Sequence, residues 1–174
     1  MADSPIHPVQ TPTNGGFAEF PVAVPADSPF SAEQLAGILR IMMLARRLDQ
    51  KMLNLLKQGK SFFHIGGSGH EAAQLAAASA LIPGKDWSYP YYRDLSYMLG
   101  MGMTSAQILE NFLARADDVN SGGRQMPQHY GFKHARVVSQ SSPTGTQFLH
   151  SVGTALGAKL DGLDEVVYVS SGEG

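Results

Sequence analysis

The chain has no cysteine among its 174 residues, which excludes disulfides, thiolate metal sites and a cysteine nucleophile together. Its chemistry runs on oxygen and nitrogen groups or on a bound cofactor. A basic excess is also missing: 13 Lys plus Arg stand against 15 Asp plus Glu. Nucleic-acid binders carry a strongly positive face, so that class is set aside. No apolar run approaches the ~20 residues of a membrane span, because Arg40, Arg46 and Arg47 interrupt the best stretch. Lys and Arg are absent from residues 1–29, and the first of either is Arg40. That start fits neither a secretory signal nor an Arg-rich presequence, so a cytoplasmic location is expected. Six of the ten prolines fall in the same stretch, which reads as a disordered, extended leader.

What remains is globular in balance, with 43% hydrophobic and 16% charged residues, and residues 30–174 have the length of one domain. Ser31 and Gln34 have capping-box spacing, and Leu35, Ile38, Leu39, Met42, Leu48, Met52, Leu55 and Leu56 follow at helical period. The pattern predicts a helix over 32–58, with Arg40, Arg46, Arg47 and Lys51 on its wetter side. Ser68 and Glu71 repeat the capping spacing ahead of an Ala-rich helix over 70–81. A third helix is expected from Thr104, with Gln107 closing its box, fading near Asp117. Residues 118–136 lack periodicity and form a long loop, a length that is usually functional or disordered. Val137-Val138-Ser139 is expected as a short strand and 145–160 as a helix with Phe148, Val152, Ala155 and Leu156 on one side. The apolar run 165–170 reads as a buried parallel strand. Strand, helix and strand in that order give an α/β fold with a parallel sheet flanked by helices.

Several motifs carry chemistry. Gly67-x-Gly69-x-x-Ala72 matches a dinucleotide fingerprint in letters, with Asp86 near the expected distance. Trp87-Ser88-Tyr89-Pro90 does not read as the second apolar strand that the fingerprint needs, so the glycines are assigned to a turn passing close to a ligand or another chain. Tyr91-Tyr92-Arg93-Asp94 offers a guanidinium fork and two phenols, suited to phosphate or carboxylate, or alternatively a structural Arg93–Asp94 contact. Residues 121–131 form a polar loop able to wall a site, although His129, His134 and Arg136 lack metal-ligand spacing. Residues 141–147 lie between a strand and a helix, at the carboxyl end of the sheet where open α/β folds bind ligands. Their hydroxyls and carbonyls suit a cofactor ring or a hard cation, or simply a Thr144–Gln147 capping box. Ser171-Gly172-Glu173-Gly174 then places one carboxylate at the same edge, suited to Mg²⁺ beside a diphosphate or to an ordinary turn.

Taken in order, Phe62-Phe63-His64-Ile65, Gly69-His70-Glu71-Ala72-Ala73, Tyr91-Tyr92-Arg93-Asp94, the Gly122 to Gly131 motif GGRQMPQHYG, Ser141-Ser142-Pro143-Thr144-Gly145-Thr146-Gln147 and Gly172-Glu173-Gly174 resemble one family. The chain is similar, over about residues 31–174, to the alpha subunit, or alpha half of an alpha–beta fusion, of the thiamine-diphosphate-dependent component of 2-oxo acid dehydrogenase complexes. The form of the loop and of Gly-Glu-Gly resembles the branched-chain (2-oxoisovalerate) type. The resemblance implies a thiamine-diphosphate-binding fold, truncated at Gly174.

It also implies roles. Tyr92 and Arg93 grip the cofactor's diphosphate, with Gly172 and Gly174 against it, and Ser142 and the Thr144 backbone meet the aminopyrimidine. Ser141, Pro143, Thr146 and Gln147 form a K⁺ loop, Glu173 ligates Mg²⁺, and His64 lies near the substrate. No catalytic residue is assigned. The activity implied is oxidative decarboxylation of a branched-chain 2-oxo acid, with most of the chemistry supplied by the cofactor and the acyl group passed to a lipoyl acyltransferase. A beta subunit, or beta half, would contribute the glutamate that activates the aminopyrimidine, and a later Asn-Gly would complete the Mg²⁺ site. The chain alone is therefore expected to be inactive. Pyruvate or acetoin dehydrogenase alpha subunits are the alternatives within the family, and a non-catalytic fragment that docks a beta subunit is the alternative outside catalysis.

Overall fold

A computed structural model describes residues 28–172. The Pro-rich segment lies almost wholly outside the described residues, as do Glu173 and Gly174. Among the described residues five α-helices and a two-stranded parallel sheet follow in the order α1 (Ala32–Lys57), α2 (Glu71–Ser79), β1 (Trp87–Tyr89), α3 (Leu95–Gly100), α4 (Ser105–Phe112), α5 (Thr146–Leu160) and β2 (Val167–Val169). The α/β class expected from the sequence is the one found.

Helix α1 starts with the expected box: Ser31 Oγ accepts from Gln34 N at 3.2 Å, and Gln34 Oε1 accepts from Ser31 N at 2.7 Å. Ile41, Ala45, Leu48 and Met52, spaced four, three and four residues apart, are its buried stripe. They join Leu75, Tyr97, Met98, Ile108 and Phe112 in the main core, while Leu39 stays half exposed. α2 does not begin with a Ser68 box. His70 caps it without a side-chain bond, Gly69 N donates to Glu71 Oε2 at 2.9 Å, and Ser68 Oγ instead donates to Asp49 on α1. Asp49 outbids the helix end because it already holds Gly67 N and His64. Arg46 Nε donates to Glu71 Oε1 at 2.7 Å, tying α1 to α2 and holding the Glu71 carboxyl below its ordinary range. The Thr104–Gln107 box of α4 forms as expected, but the helix stops at Phe112 rather than near Asp117. Ala114 adopts φ +50, left-handed backbone that a helix cannot continue through.

The sheet differs from expectation in two places. Trp87–Tyr89 is a strand after all, with Trp87, Ser88 and Tyr89 in parallel register with Val167, Tyr168 and Val169. Residues 137–139 are reduced to bridges at Val137, one parallel to Ser88 and one antiparallel to Phe132. β1 therefore sits between Val137 and β2. Tyr97 Oη meets Ser88 Oγ at 2.6 Å beneath the sheet, and its ring stacks on Tyr168 at 4.8 Å. Helix α5 is placed as expected, with Phe148, Val152, Ala155 and Leu156 together on one side; that side faces outward, and Gln147, Ser151 and Ala158 face inward.

The amino ends of the strands are fastened by charge. Asp86 Oδ1 accepts from Val166 N and Oδ2 from Ile82 N, which leaves its carboxylate no part in ribose binding. Arg136 pairs with Glu165 and lies 4.9 Å over the Trp87 ring. The opposite, carboxyl edge is thereby left for a ligand.

Candidate functional site

Beyond the carboxyl end of β1, residues 91–94 make one turn fixed from four directions. Asp94, only 6% exposed, accepts from Tyr91 N at 2.9 Å and from the Ser170 hydroxyl beyond β2 with Oδ2, and from Gln74 Nε2 at 3.2 Å with Oδ1. Burial pushes its carboxyl above the ordinary Asp range, and the Ser170 and Tyr91 hydrogen bonds oppose that rise. Gln74 Nε2 also donates to Arg93 O at 3.0 Å, and Gln74 Oε1 accepts from Ser96 N at 3.1 Å. From the fourth side comes Gly67, where a Cβ would stand 2.5 Å from Arg93 O. The glycine run thus serves a close approach to this turn.

The turn presents a preassembled cationic group. Arg93 Nη1 donates to Tyr91 Oη at 3.0 Å, and the guanidinium carbon lies 5.5 Å from the centroids of both the Tyr91 and Tyr92 rings. Those rings pack against each other at 3.8 Å, tilted by 34°. A guanidinium braced on two aromatic faces has lost rotamer freedom before any ligand arrives, and its planar fork matches phosphate oxygens. Gly172 closes on this group from β2: a Cβ there would collide with Tyr91 Cε1. Gly172→Ala is accordingly expected to push the Tyr91 ring and weaken anion binding at Arg93 by about tenfold or more, measured as a rise in Kd with the melting temperature of the unliganded protein changed far less.

His129 forms the adjoining wall. It is 3% exposed, not the ordinary surface histidine that its loop position suggests. Its ring stacks on Tyr92 at 5.5 Å and 25°, Nε2 meets Ser142 Oγ at 2.8 Å, and Nδ1 faces Pro127 O at 3.2 Å. The loop behind it is held by its own hydrogen bonds. Burial raises the Asp118 carboxyl pKa, but hydrogen bonds from Asn120, Ser121 and Gly123 outweigh that and hold it below the ordinary value. Gln128, at φ +66, bonds the Ile65 backbone with both ends of its amide.

Residues 141–147 turn tightly onto α5. Gly145, at φ +91, is the N-cap, not Thr144. Gln147 Oε1 accepts from Gly145 N, and its Nε2 donates to Ser170 O, both at 3.0 Å. Thr146 Oγ1 donates to Pro143 O at 3.0 Å. The oxygens gathered here are neutral, and among the described residues no group of three His, Cys, Asp or Glu is poised for a metal.

The structure therefore gathers Tyr92, Arg93, Ser142 and Gly172 at one edge, with Ser141, Pro143, Thr144, Thr146 and Gln147 in the neighbouring turn. His64 sits apart, on the segment before α2, with its side chain 8% exposed and Nε2 at 3.3 Å from Asp49 Oδ1. Its ring meets Phe112 edge-on at 6.0 Å, and Nδ1 has no partner although buried. Sequence reasoning missed Asp94, Gln74 and His129 as parts of the site. For His129 the available signal was its place in the Gln-Met-Pro-Gln-His-Tyr-Gly motif. For Asp94 only adjacency to Arg93 pointed that way, and its partners prove to be Tyr91 N and Ser170.

A fused set of guanidinium, phenols and a serine oxygen at the carboxyl edge of a parallel sheet matches the motifs of one family, and the profile of the dehydrogenase E1 component family matches residues 39–174. The chain belongs to that family. Among its relatives, the 2-oxoisovalerate dehydrogenase subunit alpha of Bacillus subtilis is 44% identical over 142 residues, covering 82% of this chain and 43% of the relative. The mitochondrial 2-oxoisovalerate dehydrogenase subunit alpha of Homo sapiens is 32% identical over 155 residues, with 86% and 34% covered. The pyruvate dehydrogenase E1 component subunit alpha of Bacillus cereus is 31% identical over 144 residues, with 83% and 36% covered. The chain spans less than half the length of each of these E1 alpha subunits. No helix among its described residues is long and apolar enough to cross a membrane.

Proposed function

We propose that this E1 chain supplies the alpha-side half of a thiamine diphosphate site in a dehydrogenase of branched-chain 2-oxo acids. The observation that supports this best is the braced Arg93 fork, joined through Tyr92 and His129 to Ser142. A diphosphate needs a cationic fork and neutral donors, and an aminopyrimidine needs a hydrogen-bonding edge; this set offers both at a spacing set by one intervening imidazole. When bound, thiamine diphosphate supplies the electron sink for decarboxylation. The chain's own residues do the rest by placement and charge. Arg93 and Tyr92 hold the diphosphate oxygens, Gly172 keeps space beside them with Gly174 assigned there on sequence alone, Ser142 and the Thr144 backbone orient the ring, and Asp94 keeps the Arg93 turn in register.

Mg²⁺ is assigned to Glu173 on sequence alone. The neutral oxygens of Ser141, Pro143, Thr146 and Gln147 suit a K⁺ ion rather than a divalent one, which prefers carboxylates. His64, buried with an unpartnered Nδ1, is assigned to the 2-oxo acid. The proposed partners are a beta subunit, or beta half, and a lipoyl acyltransferase. Residues 1–29 are proposed as a leader and 30–174 as the amino-terminal part of the cofactor domain. The cytoplasm is the proposed compartment, on the sequence reading.

The higher identity to the Bacillus subtilis 2-oxoisovalerate relative than to the Bacillus cereus pyruvate relative, 44% against 31%, favours branched-chain substrates. Initial rates of the assembled enzyme on 3-methyl-2-oxobutanoate and pyruvate test this. A kcat/KM at least about tenfold higher for the branched acid is expected, on the scale that two extra buried methyl groups provide. A preference for pyruvate would overturn the substrate assignment. The 174-residue chain by itself is expected to release no CO₂ from either acid.

A further inference from the structure

His129 does more than fill space between Tyr92 and Ser142, because its surroundings dictate where its protons are. Nδ1 faces the Pro127 carbonyl oxygen at 3.2 Å. A carbonyl only accepts, so Nδ1 carries the hydrogen, and in the neutral ring Nε2 is left with a lone pair. Ser142 Oγ, 2.8 Å from Nε2, is then the donor in that contact. A competing acceptor exists in Met126 Sδ, at 3.8 Å from the same hydroxyl. A thioether is a weak acceptor and the distance is long, so the imidazole takes the proton. Stacking on Tyr92 and burial keep the ring from turning over.

We infer that His129 is a positioning residue that fixes the hydrogen-bond polarity of Ser142: the hydroxyl proton is committed inward, and Ser142 offers only lone pairs to a ligand. The group that faces Ser142 must therefore be a donor. This rests on the reading of the site as a thiamine diphosphate cradle. In that ligand the exocyclic amino group is the one N–H donor on a neutral aminopyrimidine, so the inference assigns Ser142 Oγ to that amino group. It also makes His129 a source of discrimination between amino and oxo forms of the ring. The bulk of the loop, with Gln128 clamped to Ile65 on one side of His129 and Tyr130 buried on the other, keeps the imidazole in register with Ser142.

The test uses the assembled enzyme and two probes, thiamine diphosphate and its 4′-oxo analogue, in which an acceptor replaces the amino donor. Calorimetric Kd values give a discrimination ratio. The unaltered enzyme is expected to favour the amino form by roughly 10- to 100-fold, the scale of one hydrogen bond made against one acceptor left facing another. His129→Phe keeps the stack on Tyr92 but frees the Ser142 proton to rotate outward, so the ratio is expected to fall to within about threefold of unity. Ser142→Ala lowers the ratio similarly with the imidazole intact, which keeps the inference testable should the buried His129 variant fold poorly. The double variant is expected to add nothing to either single one. A ratio unchanged in both single variants, or additive losses, overturns the role of His129 while leaving the cradle in place. Failure of the unaltered enzyme to bind thiamine diphosphate at all overturns the cradle and this inference with it.

Discussion

Replacing Arg93 by Ala in the assembled enzyme is expected to weaken thiamine diphosphate binding by roughly 100- to 10,000-fold. Hydrogen bonds to charged groups contribute about 1.5–3 kcal/mol each, and the fork can make two to a diphosphate. The loss should appear in Kd by calorimetry, measured beside the melting temperature of the unliganded protein so that binding and stability are read separately. Arg93→Lys keeps the charge but loses the planar fork braced on two rings, so it should recover only part of the affinity. Full affinity in Arg93→Ala would remove the turn from the site.

Replacing Asp94 acts in the opposite way, through the fold. Asp94→Ala strands Tyr91 N, Ser170 Oγ and one Gln74 donor, and buried donors without partners cost about 1–3 kcal/mol each. A destabilisation of roughly 3–5 kcal/mol is expected, read from denaturant midpoints, with cofactor affinity falling as the Arg93 turn loosens. Asp94→Asn keeps one acceptor and should cost less. The two variants also separate by pH. Because burial raises the native carboxyl above its ordinary value of 3.8, the unfolded chain releases this proton first. Native Asp94 therefore helps most at low pH, and its contribution declines as pH rises from that value through the raised native one. The stability advantage of the unaltered protein over Asp94→Asn should shrink in that direction. An advantage that grows with pH would mean that the native carboxyl is depressed, not raised.

These two residues show where the sequence was readable. Capping boxes at Ser31–Gln34 and Thr104–Gln107 formed because a cap is a local contract among four residues, with no distant competitor. Ser68–Glu71 had the same letters but lost its serine to Asp49, a partner from α1 nineteen residues away in the chain. Trp87–Tyr89 does not read as a strand because three residues carry no period, and it is the pairing with Val167–Val169 and Val137 that makes them one. α5 forms where its period puts it, with Phe148, Val152, Ala155 and Leu156 on one side, but which side turns inward is chosen by the Ser170 carbonyl that binds Gln147 and by Tyr89, which meets Thr154. Hydrophobic periodicity could not report those polar contacts. At the site, Tyr92, Arg93, Ser142 and Gly172 were legible as motif letters. Asp94 and His129 were not, because their work is done through tertiary partners at Ser170, Gln74, Pro127 and Ser142.

The edge formed by residues 91–94, 129, 142 and 172 is proposed to hold thiamine diphosphate. Titration of the cofactor into the assembled enzyme, with and without Mg²⁺, tests it most directly when repeated on the Arg93→Ala, Ser142→Ala double variant. Saturable, Mg²⁺-dependent binding at one site per chain is expected in the unaltered enzyme, and loss of that binding in the double variant. Binding of equal strength in both proteins would contradict it.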